Sequence, residues 1–321
     1  MAIPNVPTQQ TRNQEKQSSD IQSQASRNQV AGVAGSASKR LKRPNRSTDE
    51  KRQWLLEGLV ALGALLFVSP LVLILITAFK PDSEIVHYHS ILPQAATLAN
   101  FREILGSPEE IPIARWFGNS VFISSAATLL VLAVDSLAAY AFARLDLPGK
   151  KWVFGIIVAT LMVPGQILLV PVYLILNRLG WLDTPLALIV PAGAGAFGVF
   201  LLHQFFVGIP KELEEAAAID GCSRWGIFWN VLLPLSKPAL ATLGIFTFIG
   251  SWNDFLGPLV FLDSVDKYTL PVGIALFQTS YYAEYGLTLA ASVLCTLPVI
   301  VAFLLFQRNI IQGIALSGLK D

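Results

Sequence analysis

Six stretches of this chain are apolar and long enough to cross a lipid bilayer, which leaves few folds open to it. A hydrocarbon core of about 30 Å takes roughly 20 residues of α-helix. The runs Leu55–Phe79, Phe117–Phe142, Trp152–Leu176, Pro185–Phe205, Pro238–Leu262 and Gly286–Phe306 all meet that length. In lipid a backbone N–H or C=O has no water to bond, so such runs read as helices. Composition agrees: 53% of residues are hydrophobic and 14% charged, against about 25% charged in soluble domains. The expected fold class is an all-α membrane protein with six transmembrane helices. Pro70, Pro164, Pro171 and Pro191 fall inside these runs and mark kinks rather than ends, because neighbouring helices can satisfy the freed carbonyls.

Residues 1–53 are of another kind, rich in Gln, Ser, Asn, Lys and Arg and nearly without large apolar side chains. Such a segment cannot bury enough surface to offset its chain entropy and is expected to be a disordered tail. It has no apolar core of a signal peptide. Lys39, Arg40, Lys42, Arg43, Arg46, Lys51 and Arg52 precede the first run, and a basic cluster there reads as a positive anchor beside a span. With the tail on the cytoplasmic side, most of the 23 Lys and Arg fall on that side. The excess keeps its sign when the tail is left out. The positive-inside rule then places both termini and the polar loop 206–237 in the cytoplasm. The domain boundaries expected are a tail over 1–53 and one transmembrane domain over 54–321.

That polar loop carries the most local information. Pro210 suits a first helical position, and Glu212, Glu214 and Glu215 then crowd the positive end of a helix. Leu213, Ala216 and Ala217 share one face by their i, i+3, i+4 spacing. Gly221 suits the left-handed position that ends a helix. Ser223 can cap a second short helix with Trp225, Phe228 and Trp229 as its aromatic side, and Pro234 is expected to end it before the next span. Helix physics alone also permits a surface helix pair that merely joins two spans.

The order Glu215-Ala216-Ala217, Asp220-Gly221, Val231 and Leu233-Pro234 resembles the EAA loop of binding-protein-dependent ABC importer permeases, in the carbohydrate branch. Further segments fit the same pattern: Arg115 to Ser120, Ala138 to Arg144, Pro148-Gly149-Lys150, Met162-Val163-Pro164 with Gln166, Ala196 to Phe206, and Trp252-Asn253-Asp254-Phe255. His203 departs from it, since Arg is more usual there. The resemblance covers roughly residues 54–321. It implies the type I ABC importer permease architecture, with a cytoplasmic coupling helix that docks on an ATPase subunit through Glu215, Ala216, Ala217, Asp220 and Gly221. It also implies the partners: a second permease subunit as a heterodimer, two ATP-binding subunits and an extracytoplasmic solute-binding protein in a bacterial or archaeal plasma membrane. The outer loops Lys80–Trp116 and Asp263–Tyr285, the latter with Tyr281, Tyr282 and Tyr285, would face that binding protein. Such tyrosines are also ordinary membrane-boundary residues.

The chain itself is not expected to be an enzyme. A P-loop needs Gly-x4-Gly-Lys-Ser/Thr, whereas Gly149-Lys150 is followed by Lys151 and preceded by Arg144 at the first glycine position. Cys222 and Cys295 are not expected to pair, and His87 with His89 makes too small a ligand set for a metal. No cofactor is expected. Charged groups in a span are costly and face the bundle interior or a wet cavity, so Gln166, Asn253 and Asp254 are candidates to line the solute path. The alternative is that they, and Asp135, are interhelical contacts that hold the bundle. Import of a sugar is the leading expectation, with a polyol, glycerol-phosphate derivative or osmolyte as alternative cargo. An ion-coupled secondary transporter would call for inverted repeats, and no convincing repeat is present.

Overall fold

The computed structural model describes residues 46–87, 90–109, 111–278 and 285–318, and among them all regular structure is helical. In order these are α1 (Arg46–Ala78), α2 (Asp82–Val86), α3 (Ala99–Gly106), α4 (Ile113–Arg144), α5 (Lys150–Thr160) and α6 (Leu169–Leu179). After them come α7 (Leu186–Ala192), α8 (Ala196–Val207), α9 (Glu212–Ile219), α10 (Arg224–Ile227) and α11 (Leu233–Leu235). The last four are α12 (Lys237–Trp252), α13 (Leu256–Phe261), α14 (Leu270–Ala275) and α15 (Tyr285–Gly318). Contacts divide the chain into two units, residues 1–69 and 70–321. The first unit's described part is the opening of α1, whose apolar side chains, such as Leu59 and Phe67, stand exposed. That is the surface a lipid phase would cover. The helix starts at Arg46, earlier than the tail boundary expected at residue 53; tail residues 1–45, with His89, Tyr281 and Tyr282, lie outside the described residues.

Not every expected span is one straight helix. Gln53–Ala78, Ile113–Arg144 and Leu186–Val207 are long and apolar enough to cross a bilayer, and Pro70 sits inside α1 without breaking it. The run Trp152–Leu176 is two helices bent by 96° at the break before Gly165, with Pro164 in extended backbone at φ −60° and ψ 127°. Proline cannot donate the bond that would carry the helix through. The run Pro238–Leu262 also departs from expectation: α12 stops at Trp252, and α13 begins only at Leu256. Pro258 explains the break, because its ring would clash with the carbonyl of Asp254 four residues back. The Asp254 carboxylate instead accepts the Gly257 N–H at 3.3 Å. At its other end α12 bends by 75° against the segment Arg224–Leu235.

The second unit is built around α4, which packs along α8 and α12. One core cluster gathers Trp116, Ile104, Trp252, Leu270, Ile274, Leu287, Ala290 and Ala291 near the start of α4. Another gathers Val131, Ala139, Tyr140, Leu202, Phe206, Ile227, Phe228, Leu232 and Leu243 toward its end. The second cluster matters for function, because Ile227, Phe228 and Leu232 come from the polar loop. The loop is thereby seated on the spans by buried apolar surface.

Candidate functional site

The loop between α8 and α12 is built much as its residue types dictate. The N–H groups of Glu214 and Glu215 both bond the Lys211 carbonyl, so α9 opens just after Pro210 with its three glutamates in the first turn. Gly221 ends it at φ +87°, a left-handed conformation that costs other L-residues roughly 1–2 kcal/mol. Ser223 caps α10, its hydroxyl accepting the Gly226 N–H at 3.2 Å. Pro234 does not stop the segment: a π-helical turn, Phe228–Leu232, runs into α11, where Pro234 occupies the first turn, a place where a missing N–H is harmless.

The faces of α9 are unequal. Glu214 and Ala217 turn inward, while Glu215, Ala216, Ala218 and Asp220 are exposed, as is Gly221. Of the three residues expected to share a face, Leu213 and Ala216 are exposed and Ala217 is half-buried. Ile219 is 87% exposed, and Trp225 and Trp229 on the next turns are also open, while Phe228 is buried against Tyr140 with ring centroids 5.1 Å apart. The exposed set is a small-residue and acidic ledge edged by apolar side chains. Four of the five docking candidates, Glu215, Ala216, Asp220 and Gly221, belong to it; Ala217 is half-buried beneath.

What fixes this ledge to the spans was not singled out from the sequence. Arg144, the last residue of α4, is almost fully buried. Its guanidinium donates to the carbonyls of Phe206 and Ile209, each at 2.7 Å, and its Nε lies 2.5 Å from Glu214 Oε1 in an ion pair. One cation thus closes the carboxyl end of α8 and holds the first turn of α9. Burial pushes the Glu214 carboxyl above its ordinary pKa, against the opposing pull of Arg144 and Lys211. One turn back on α4, the Tyr140 hydroxyl donates to the Arg224 carbonyl at 3.0 Å. The available signal was an arginine at the end of an apolar run, four residues after a tyrosine, facing a glutamate-rich loop.

The other end of α4 is tied down as well. Trp116 Nε1 donates to the Val265 carbonyl at 2.7 Å, Asn119 to the carbonyls of Asp266 and Tyr268, and Ser120 Oγ accepts the Leu270 N–H. Across the same loop, Asp183 is the single non-glycine among the described residues at positive φ, 56°. Its carboxylate accepts the N–H groups of Asp263 and Ser264, the Ser264 hydroxyl, and the Lys267 ammonium at 2.7 Å. Burial opposes its charge, but the bonds from Lys267, Ser264 and Asp263 outweigh that and hold the carboxyl well below the usual carboxylate range.

The candidate path residues do not all meet. Gln166 and Asp254 line one hollow of about 270 Å³ with Leu169, Gly257 and Phe261. Asp254 also lines a second, of about 330 Å³, with Asp135, Thr247, Ser251 and Thr269. Asn253 lines neither; its amide donates to the Ile249 carbonyl at 3.0 Å, closing the end of α12.

The described residues thus form a largely apolar helical bundle with a folded polar loop seated between α8 and α12. Residues 136–315 match the family of binding-protein-dependent transport system inner membrane components, and the chain belongs to that family. Among its relatives is the arabinooligosaccharides transport system permease protein of Halalkalibacterium halodurans, 38% identical over 278 residues, 86% of this chain and 99% of the relative. The diacetylchitobiose uptake system permease protein of Streptomyces coelicolor is 31% identical over 280 residues, 86% and 92% of the two chains. Among solved structures, a bacterial ABC transporter involved in the import of the acidic polysaccharide alginate shares the fold, with a TM-score of 0.72 at 23% identity over 81% of this chain and 97% of that one. The type I importer permease fold expected from the sequence is therefore the one observed.

Proposed function

We propose that the chain is a permease subunit of an ATP-driven importer that carries a sugar or oligosaccharide across the plasma membrane. The observation that carries this reading is the exposed ledge of α9, Glu215 to Gly221, seated on the bundle in a family whose members work with a binding protein. Relatives named for arabinooligosaccharides and diacetylchitobiose support a carbohydrate cargo.

In this reading the termini and the loop 206–237 are cytoplasmic, and Glu215, Ala216, Ala217, Asp220 and Gly221 dock on a separate ATP-binding subunit. ATP closes a pair of those subunits, and α9 moves with them. Arg144 and Tyr140 pass the displacement to α4, which packs on α8 and α12. The spans then switch between inward-open and outward-open. The solute-binding protein delivers cargo at the loops clasped by Asp183, and a second permease subunit completes the path past Gln166 and Asp254, while Asn253 shapes the end of α12.

The test is reconstitution of this chain with its partner permease, ATPase and binding protein in proteoliposomes, followed by uptake of labelled oligosaccharides. Uptake should require ATP inside the compartment that holds the ATPase, and the binding protein outside it. Uptake driven by a sodium or proton gradient without the ATPase would contradict the proposal.

A further inference from the structure

The loop between α8 and α12 meets α4 in a second place, away from the ledge. A hollow of about 300 Å³ is walled by Leu137, Tyr140, Ala141 and Leu145 on one side and by Arg224 and Trp225 on the other. Its lining includes no residue of α9. Leu137, Ala141 and Leu145 recur at every fourth position and so share one face of α4 and its cap. That face runs about 12 Å along the axis, from the end of α4 toward the middle of the span. Leu137, about 10 Å in from Arg144 at helical rise, is 39% exposed. At that depth the surroundings of a span are acyl chains rather than water. The hollow therefore has an apolar end inside the bilayer and a mouth at its edge. The mouth is cationic. Tyr140 donates its hydroxyl to the Arg224 carbonyl at 3.0 Å, which fixes the backbone under the exposed Arg224 side chain. Lys150 donates to the carbonyl of the wall residue Leu145 at 2.7 Å. Its pairing with Asp146 is loose, at 4.0 Å, and the Asp146 side chain stands fully in solvent. Glu214 is already paired with Arg144. Trp225 is exposed at the mouth, and an indole, apolar in body and polar at one edge, settles at headgroup level.

We propose that this groove holds an anionic glycerophospholipid, its phosphate at Arg224 with Lys150 nearby, and one acyl chain laid along Leu145, Ala141 and Leu137. Basic pockets between spans at the membrane edge suit acidic headgroups, and a guanidinium binds phosphate oxygens in a bidentate fork. A soluble subunit docked on α9 meets the mouth alone, since Leu137 lies at the depth of the acyl chains. The proposal rests on the membrane setting of the family and not on the nature of the cargo. A lipid seated here touches α4 and α10 at once, so it braces the same junction as the bond from Tyr140 to Arg224.

The experiment uses the complete complex in phosphatidylcholine nanodiscs. These carry a small, equal fraction of either phosphatidylglycerol or phosphatidylcholine with a photoreactive diazirine on one acyl chain. After irradiation, labelled peptides are mapped by mass spectrometry. The segment 137–145 should take about fivefold more of the phosphatidylglycerol probe, the attraction expected of one basic residue near an anionic lipid. Arg224→Gln should remove that preference, and Arg224→Lys should keep most of it. Arg178→Gln, which removes a cation on α6, should leave it unchanged. Ala141→Phe fills the groove and should cut labelling of 137–145 by either probe. Because the readout is a ratio of two probes on one variant, a general loss of folding does not mimic the effect of Arg224→Gln. Equal labelling by the two probes in the parent complex, no label at 137–145, or a preference that survives Arg224→Gln overturns the proposal.

Discussion

Replacing Arg144 by Met removes one charge and three contacts while keeping a long side chain. The guanidinium holds Glu214 at 2.5 Å and the carbonyls of Phe206 and Ile209 at 2.7 Å. The ion-pair side chains are only 6% and 16% exposed. Removing one member of a buried pair costs about 3–5 kcal/mol. Glu214 keeps some solvent, so the lower end applies, and the two carbonyls can accept water in place of Arg144. A loss of about 3 kcal/mol in the seating of α9 corresponds to more than about a hundredfold in the ratio of detached to seated loop. The assay is ATP hydrolysed per sugar imported in proteoliposomes. Arg144→Met should leave the complex assembled and hydrolysing but raise that ratio several-fold. Glu214→Gln should have a smaller effect, and the double variant should be no worse than Arg144→Met alone, the non-additivity expected of contacting groups. An unchanged ratio, or strictly additive effects, would refute the role given to this contact.

Gly221→Val places a β-branched side chain at φ +87° with open space around it. The penalty is therefore backbone strain of roughly 1–2 kcal/mol, and uptake should fall sharply while membrane insertion, read by fractionation, stays intact. Asp183→Asn should lower thermal stability at neutral pH by loosening the clasp on Asp263, Ser264 and Lys267. Because the folded pKa of Asp183 is depressed, its contribution is complete above the unfolded value of about 3.9 and declines as pH falls below it. The gap in melting temperature between parent and variant should accordingly shrink below about pH 4. Gly198→Ala drives a methyl group onto the Asp135 carboxyl and Leu243, and overpacking of this kind costs about 1–3 kcal/mol. Expression and melting temperature should both drop, and Asp135→Ala in the same chain should restore part of the loss.

Much of the molecule can be read from the chain because membrane helices announce themselves by length and apolarity. The polar loop was legible for a similar reason: Ser223, Gly221 and the glutamates at 212, 214 and 215 each have a local physical role that needs no tertiary partner. The break at Asn253–Phe255 was also local, since Pro258 forbids the helix through Asp254, but the apolar run masked it. The bend ahead of Pro164 exceeds a kink because four residues leave the helix there. The partners of Arg144 and the setting of Asp135 were hidden for a different reason. A buried cation at a helix end and an unpartnered carboxyl against Gly198 are defined by residues more than sixty positions away. Spacing along one helix carries no trace of such partners. Leu213 shows the same limit, since periodicity gives a face but not which face the bundle will cover.

The central claim, that α9 is where a separate ATPase drives this bundle, is tested most directly by cross-linking at its open ledge. With Cys222 and Cys295, both unpaired, replaced by Ser, a single cysteine is placed at Ile219, which is 87% exposed. A second is placed at Asp266, in the clasped loop at the other end of α4. In the assembled complex, a short thiol-reactive photocrosslinker attached at these cysteines should join position 219 to the ATP-binding subunit and position 266 to the solute-binding protein, and the first cross-link should arrest uptake. Cross-linking of position 266 to the ATP-binding subunit, or none from position 219 in a complex that still transports, would contradict the account.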